Sequence, residues 1–267
     1  MSTLANLTSE DTVIGAMLLG ALQGLTEFLP VSSSGHLALL GAEQGDLAFE
    51  LVVHLGTLIP VLFFYRETLL GMAQAFVSGE GSVWSRPLVQ DALWVALASV
   101  PTAILGLALR DWVSVMPTIF LAGTFAFTAI ILVAAGRWER TGESRRLTAK
   151  LVLLLGLVQG IAVLPGISRS GSTIAVALML GVQREEAARF SFLMSIPAIL
   201  GASILELGDP SIWANLNLAP LIAGGLTAMA VGYLALSLLV RLVLRGQFAS
   251  FHWYLWVIAA ITLATHL

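Results

Sequence analysis

The chain has 267 residues, 58% of them hydrophobic and 11% charged, with a mean hydropathy of +0.92, a formal net charge of −3 and no cysteine. Soluble domains carry roughly 25% charged residues, so this composition excludes a water-soluble globular protein. The lack of cysteine excludes disulfides and thiolate chemistry, and the acidic balance leaves no polybasic footprint for nucleic acid.

Long apolar runs separated by short polar breaks predict an all-α polytopic membrane protein rather than a β-barrel, whose strands would alternate. Glu10 and Asp11 precede the first run and no small-residue cleavage site follows a basic region, so no cleaved signal peptide is expected. The first apolar stretch, residues 12–42, is broken at Pro30. Proline cannot continue a helix, so the first arm ends near Phe28 or Leu29. Ser32, Ser33 and Ser34 are N-cap candidates for a second short helix from Gly35. Gln23 and Glu27, four apart, share a face of the first arm, and Ser33 and His36, three apart, can face one cavity. Three runs near the span length of about 20 residues follow: Leu47 to Tyr65, Ala92 to Leu109, and Val115 to Gly136. A second interrupted stretch, 149–181, breaks at Pro165 and Gly166. Ser168 can cap the helix beyond, whose Arg169 and Thr173 share a face. Three more runs close the chain: Ala188 to Leu205, Leu218 to Val240, and Trp253 to Leu267. The arms of the two interrupted stretches are too short for full spans and predict re-entrant helix-loop-helix hairpins.

The two interrupted stretches are copies of one element. Leu-Gly-x-x-Gln-Gly occurs at Leu19 to Gly24 and at Leu155 to Gly160, 136 residues apart, and Pro-x-x-Ser at Pro30 to Ser33 and Pro165 to Ser168, 135 apart. Each half, 12–136 and 149–267, then holds one hairpin and three spans, six transmembrane helices in all. An odd number of spans inverts the second half, giving an inverted-topology repeat with its site at the repeat interface. The charge pattern agrees. The segment from Arg137 to Lys150 carries five basic residues and is placed in the cytoplasm. Alternation then puts Arg66, Arg86, Arg184, Arg189, Arg241 and Arg245 there too, eleven of the thirteen basic residues. Arg110 falls on the far side, with Glu43, Asp46, Glu206, Asp209 and both termini.

Several polar residues have plain structural readings. Ser33 and Ser168 would cap helices, Gln23 would bridge them, and Gly24 and Gly160 would let them pack closely. His54, on an apolar run, is expected to be packed or helix-bridging. His252 and His266 sit at span ends, and Trp253, Tyr254 and Trp256 read as an aromatic belt. Glu27 and Arg169 are different: a charge deep in a membrane costs about 2.5–3.5 kcal/mol or more. A structural ion pair between them would account for both without chemistry. An anion site would as well, since arginine's planar fork and the N-termini of two half-helices all suit phosphate oxygens.

The segments Gln23-Gly-Leu-Thr-Glu27-Phe-Leu-Pro-Val-Ser-Ser33-Ser-Gly-His36 and Pro165-Gly-Ile-Ser168-Arg169-Ser-Gly-Ser-Thr173 resemble the two signature motifs of the undecaprenyl-diphosphatases, the bacitracin-resistance membrane phosphatases. The resemblance implies hydrolysis of undecaprenyl diphosphate to undecaprenyl phosphate and inorganic phosphate, which recycles the lipid carrier of peptidoglycan synthesis. It further implies a multi-pass protein of the bacterial inner membrane with its site open to the periplasm, and Mg²⁺ or Ca²⁺ as cofactor. Because this chain has Gln23 at the opening position, Glu27 would be the only motif carboxylate on the metal. Glu27, Ser33, His36 and Arg169 would be catalytic, and Gln23, Ser32, Ser168, Ser170 and Thr173 would bind substrate. Three routes stay open: Ser33 attacking with His36 as base, His36 attacking directly, or water attacking. The partners are the lipid substrate and bilayer lipid, with no nucleic acid, and a homodimer is left open. The alternative class, a transporter or flippase of a phosphorylated lipid, would need anion capture but no proton-transfer group.

Overall fold

A computed structural model describes residues 10–40, 47–77, 87–140, 146–213 and 216–266. Glu43, Asp46, Arg86 and Arg145 of the charge count, and the end of the first expected hairpin, lie outside the described residues. Within them the chain forms α1 (Val13–Phe28), α2 (Ser33–Leu39), α3 (Leu47–Phe64), α4 (Arg66–Val77), α5 (Pro87–Ser114), α6 (Phe120–Trp138), α7 (Ala149–Ile161), α8 (Arg169–Met179), α9 (Arg184–Leu207), α10 (Leu218–Leu244) and α11 (His252–His266). Helices α3, α5, α6, α9, α10, and α11 with the 3-10 turn before it, are long and apolar enough to cross a membrane. Their outer faces expose large apolar side chains such as Ile104, Ile130 and Leu234, as lipid contact requires. The protein is an all-α polytopic membrane protein.

Three boundaries differ from the sequence expectation. α5 runs from Pro87 to Ser114, more than a turn beyond the apolar run at each end. The third span begins at Phe120 rather than Val115, because Pro117 lacks the N–H a helix needs and sits instead in a turn whose carbonyl accepts from Phe120 N at 2.9 Å. α4, twelve residues with Arg66, Glu67 and Gln74 among them, is too short and too polar for a span, and it packs on α5.

The contacts between helices repeat when the halves are exchanged. α1 packs on α10 as α7 packs on α5, α3 on α10 as α9 on α5, and α6 on α11. The repeated Leu-Gly-x-x-Gln-Gly block explains the first of these. A Cβ on Gly20 would meet the Gly224 carbonyl oxygen at 2.2 Å, and one on Gly156 the Ala98 carbonyl oxygen at 2.2 Å. The glycines therefore serve close backbone approach, and both short arms are clamped against long helices of the opposite half. Gly156→Ala is expected to destabilise the protein by about 1–3 kcal/mol, because backbone cannot yield as a side chain would. A thermal melt in detergent reads the loss.

Candidate active site

Helix α1 ends one residue before Leu29, whose extended backbone leads into Pro30. Ser32 then caps α2 from φ +70°, the only positive φ of a non-glycine residue among those described. Three bonds hold this conformation. Ser32 Oγ accepts from Gly35 N at 3.3 Å and from Gly166 N at 3.0 Å, and His36 Nδ1–H donates to Ser32 O at 2.7 Å. Gly166 is the matching break in the second half, at φ +88°. A Cβ there would meet Thr124 Oγ1 at 2.0 Å, so only glycine fits. Thr128 of α6 fastens this loop by donating to Gly166 O and accepting from Ser168 N. Ser168 caps α8 through Gly171 N at 3.1 Å, and Ser170 Oγ donates to Phe28 O at 2.8 Å. The two breaks are thus bonded directly to each other.

This stitching places Arg169 against Glu27. Arg169 Nη2 donates to Glu27 Oε1 in an ion pair whose side chains are only 16% and 9% exposed. The other carboxylate oxygen, Oε2, accepts from Ser33 Oγ at 2.7 Å and from Gln23 Nε2 at 3.1 Å. Arg169 Nη1 and Gln23 Oε1 are buried without a hydrogen-bond partner among the described residues, so the cluster retains one cationic donor and one amide oxygen for a ligand. It opens on a cavity of about 230 Å³ lined by Glu27, Ser32, Ser33, Ser34, Ser168 and Arg169 from the two hairpins, with His54 and Glu50 of α3, Gln159 of α7, and Ser203 and Glu206 of α9.

Some residues expected at the site lie elsewhere. His36 is buried but does not line the cavity. Its Nδ1–H is bonded to Ser32 O, its Nε2 accepts from Tyr254 O–H at 2.6 Å, and its ring stacks on Tyr254 at 5.6 Å. The expectation that Ser33 and His36 face one cavity is therefore corrected: on a short helix starting at Ser33 rather than Gly35, Ser33 turns to Glu27 and His36 turns to α11. Tyr254 makes this inward bond while remaining 44% exposed, alongside the exposed Trp253 and Trp256. Ser170 and Thr173 also turn away from the cavity, Ser170 to Phe28 O and Thr173 to Arg169 O at 2.8 Å and Ser191 Oγ at 2.6 Å. His54, expected to be merely packed, lines the cavity with Glu50 and Glu206. The sequence carried a signal for the first two, since Glu50 and His54 are four apart on one face of an otherwise apolar helix. Tyr254→Phe tests the His36 assignment. It removes one hydrogen bond, worth about 1 kcal/mol net, and is expected to lower the melting temperature while activity falls less than about tenfold.

A family model described as bacitracin resistance protein BacA matches residues 16–261. The chain belongs to this family. Among BacA-type relatives, the undecaprenyl-diphosphatase of Desulfosudis oleivorans is 42% identical over 94% of this chain and 97% of its own length. That of Carboxydothermus hydrogenoformans is 39% identical over 93% and 95%, and that of the Korarchaeum cryptofilum strain 39% over 90% and 94%. The match covers the first hairpin from residue 16 onward, the whole second hairpin and every cavity residue named above.

Proposed function

We propose that this chain hydrolyses undecaprenyl diphosphate to undecaprenyl phosphate and inorganic phosphate, recycling the lipid carrier of cell-wall synthesis and so conferring bacitracin resistance. The observation that carries the reading is the convergence of Glu27, Ser33 and Arg169 on one cavity, in a chain of this family. The comparisons give the transporter alternative no support.

The geometry favours Ser33 as nucleophile. Its hydroxyl already donates to Glu27 Oε2, so the carboxylate can take the proton as Oγ forms a bond to the terminal phosphorus. The bridging P–O bond breaks and its electron pair leaves on the lipid phosphate. Phosphoryl transfer passes through a loose transition state and asks little of a base, so a carboxylate held by arginine suffices. Arg169, oriented by Glu27 through Nη2, offers Nη1 to a phosphate oxygen, and the N-terminus of α8 adds partial positive charge. Ser168 borders the same space and helps position the head group, whereas Gln23, expected to bind substrate, is fully buried behind Glu27, does not line the cavity and holds the carboxylate by its hydrogen bond. Ser32, Ser170, Thr173 and His36 act one step back, by fixing the two breaks.

A divalent cation fits the donor set in chemistry: the Glu27 carboxylate, Ser33 hydroxyl and Gln23 amide oxygen are the hard ligands Mg²⁺ and Ca²⁺ prefer. Among the described residues there is no group of three acidic or histidine side chains placed to hold one alone. Glu27 would thus hold it together with oxygens of the diphosphate, and it would supply charge neutralisation.

For topology, the reading is two halves, 12–136 and 149–267, in inverted orientation, with the hairpins re-entrant from the periplasmic side of a bacterial inner membrane. Two observations support it. α1 and α7 have 16 and 13 residues, short of a span, and the cavity residues Glu50 and Glu206 lie at the helix ends that the charge count puts outside.

Purified protein in detergent is expected to release phosphate from undecaprenyl diphosphate and from shorter prenyl diphosphates, to lose that activity with EDTA and to regain it with Mg²⁺ or Ca²⁺. Glu27→Ala should abolish the cation response, and Gln23→Ala should weaken it less. No phosphate release under any cation would refute the reading, and activity indifferent to EDTA would remove the metal from it.

A further inference from the structure

The chemistry above leaves one proton without a destination. When water cleaves phosphorylated Ser33, its oxygen bonds to phosphorus, the Oγ–P bond breaks, and Ser33 takes back the proton held by Glu27. The proton of the attacking water then needs another acceptor. Arginine cannot serve as a base in a protein, and Glu27 is giving up a proton of its own.

His54 is placed to accept it. It lines the same cavity as Ser33, from α3. Its Nδ1 lies 2.9 Å from the Glu50 carbonyl oxygen one turn back. A carbonyl oxygen only accepts, so Nδ1 carries the proton and Nε2 of the neutral ring carries a lone pair. Nε2 has no hydrogen-bond partner among the described residues. Glu27 is bonded to Gln23, Ser33 and Arg169 and not to this ring. His36 offers the opposite case, with both nitrogens engaged and the ring outside the cavity.

We propose that His54 is a catalytic residue of this chain: its Nε2 accepts the proton of the water that cleaves phosphorylated Ser33, then loses it to solvent through the cavity. The proposal rests on the hydrolase reading of the site. The charged groups around His54 are Glu27 on α1, Arg169 on α8, Glu206 on α9 and Glu50 on its own helix. The described part of α10, also packed on α3, places Gly225 and Ala228 beside Gly56, and its Tyr233 sits farther along against Phe63.

The test is the pH dependence of steady-state turnover of a short prenyl diphosphate by the purified full chain. Neutral His54 is the active form, so wild-type kcat should fall as pH drops through the histidine range, between about pH 8 and 5. His54→Gln should lower kcat about 10²–10⁴-fold, leave KM within about threefold and lose this acid limb. His36→Gln should keep the limb. Imidazole added to His54→Ala should restore part of kcat together with the limb, which a structural role would not produce; this arm also decides the matter if the Gln variant fails to fold. An unchanged acid limb in His54→Gln would overturn the proposal, whether or not kcat falls, and so would a rise in KM alone. A wild type that releases no phosphate would instead sink the hydrolase reading beneath it.

Discussion

Arg169→Ala is expected to reduce phosphate release by about 10²–10³-fold or more, the scale of losing a preorganised charged donor at a developing negative charge. The residue has two tasks in the cavity. Nη2 fixes the Glu27 carboxylate across the two hairpins, and Nη1, buried without a partner among the described residues, is the donor left for substrate. Arg169→Lys should recover little, because one ammonium cannot do both across a fixed fork. Removing the arginine also leaves Glu27 buried and unpaired, and breaking a buried pair costs about 3–5 kcal/mol. Stability and activity must therefore be separated. Combining Glu27→Gln with Arg169→Ala should restore much of the melting temperature and none of the activity. Recovery of activity in that pair, or full activity in Arg169→Lys, would show the ion pair to be structural only.

Ser33→Ala is the second large effect. As nucleophile its loss should lower kcat by about 10³-fold or more, in line with removal of attacking serines elsewhere, while substrate binding persists through Arg169 and Ser168. The fold should tolerate the change, since Ser32 rather than Ser33 caps α2 and holds the Gly166 loop. Measuring kcat and the equilibrium affinity for lipid diphosphate on the same preparation distinguishes the cases. A loss confined to affinity would make Ser33 a phosphate-binding group and leave the attack to water.

The parts of this site that a reader could take from the sequence are the parts set by local chemistry. Proline at positions 30 and 165 must end a helix wherever it is packed, and serine two or three residues later is a natural cap, so both breaks were legible. Glu27 and Arg169 stood out because isolated charges in apolar helices require an explanation, and the two proved to be each other's partner. The glycines of the repeated block also behaved as their spacing suggested, as points of backbone approach. What could not be read was direction on short or amphipathic helices. His36 belongs to a seven-residue helix whose facing is decided by Tyr254, 218 residues later in the chain, and no local pattern encodes that pairing. The apolar run around His54 predicts simple packing, whereas the cavity wall it forms exists only once α9 brings Glu206 alongside. α4 leaves no hydropathy signal, because hydropathy marks spans and not the short polar helices between them.

The class of the protein can be decided most directly on one preparation of proteoliposomes carrying lipid diphosphate, with phosphate release and movement of lipid phosphate between leaflets measured together in wild type and in Ser33→Ala. The account predicts one inorganic phosphate released per lipid monophosphate formed by the wild type, and neither product from Ser33→Ala. Movement of lipid between leaflets with no phosphate released, unaffected by Ser33→Ala, would contradict it and make the cavity a passage for an anion rather than a site of hydrolysis.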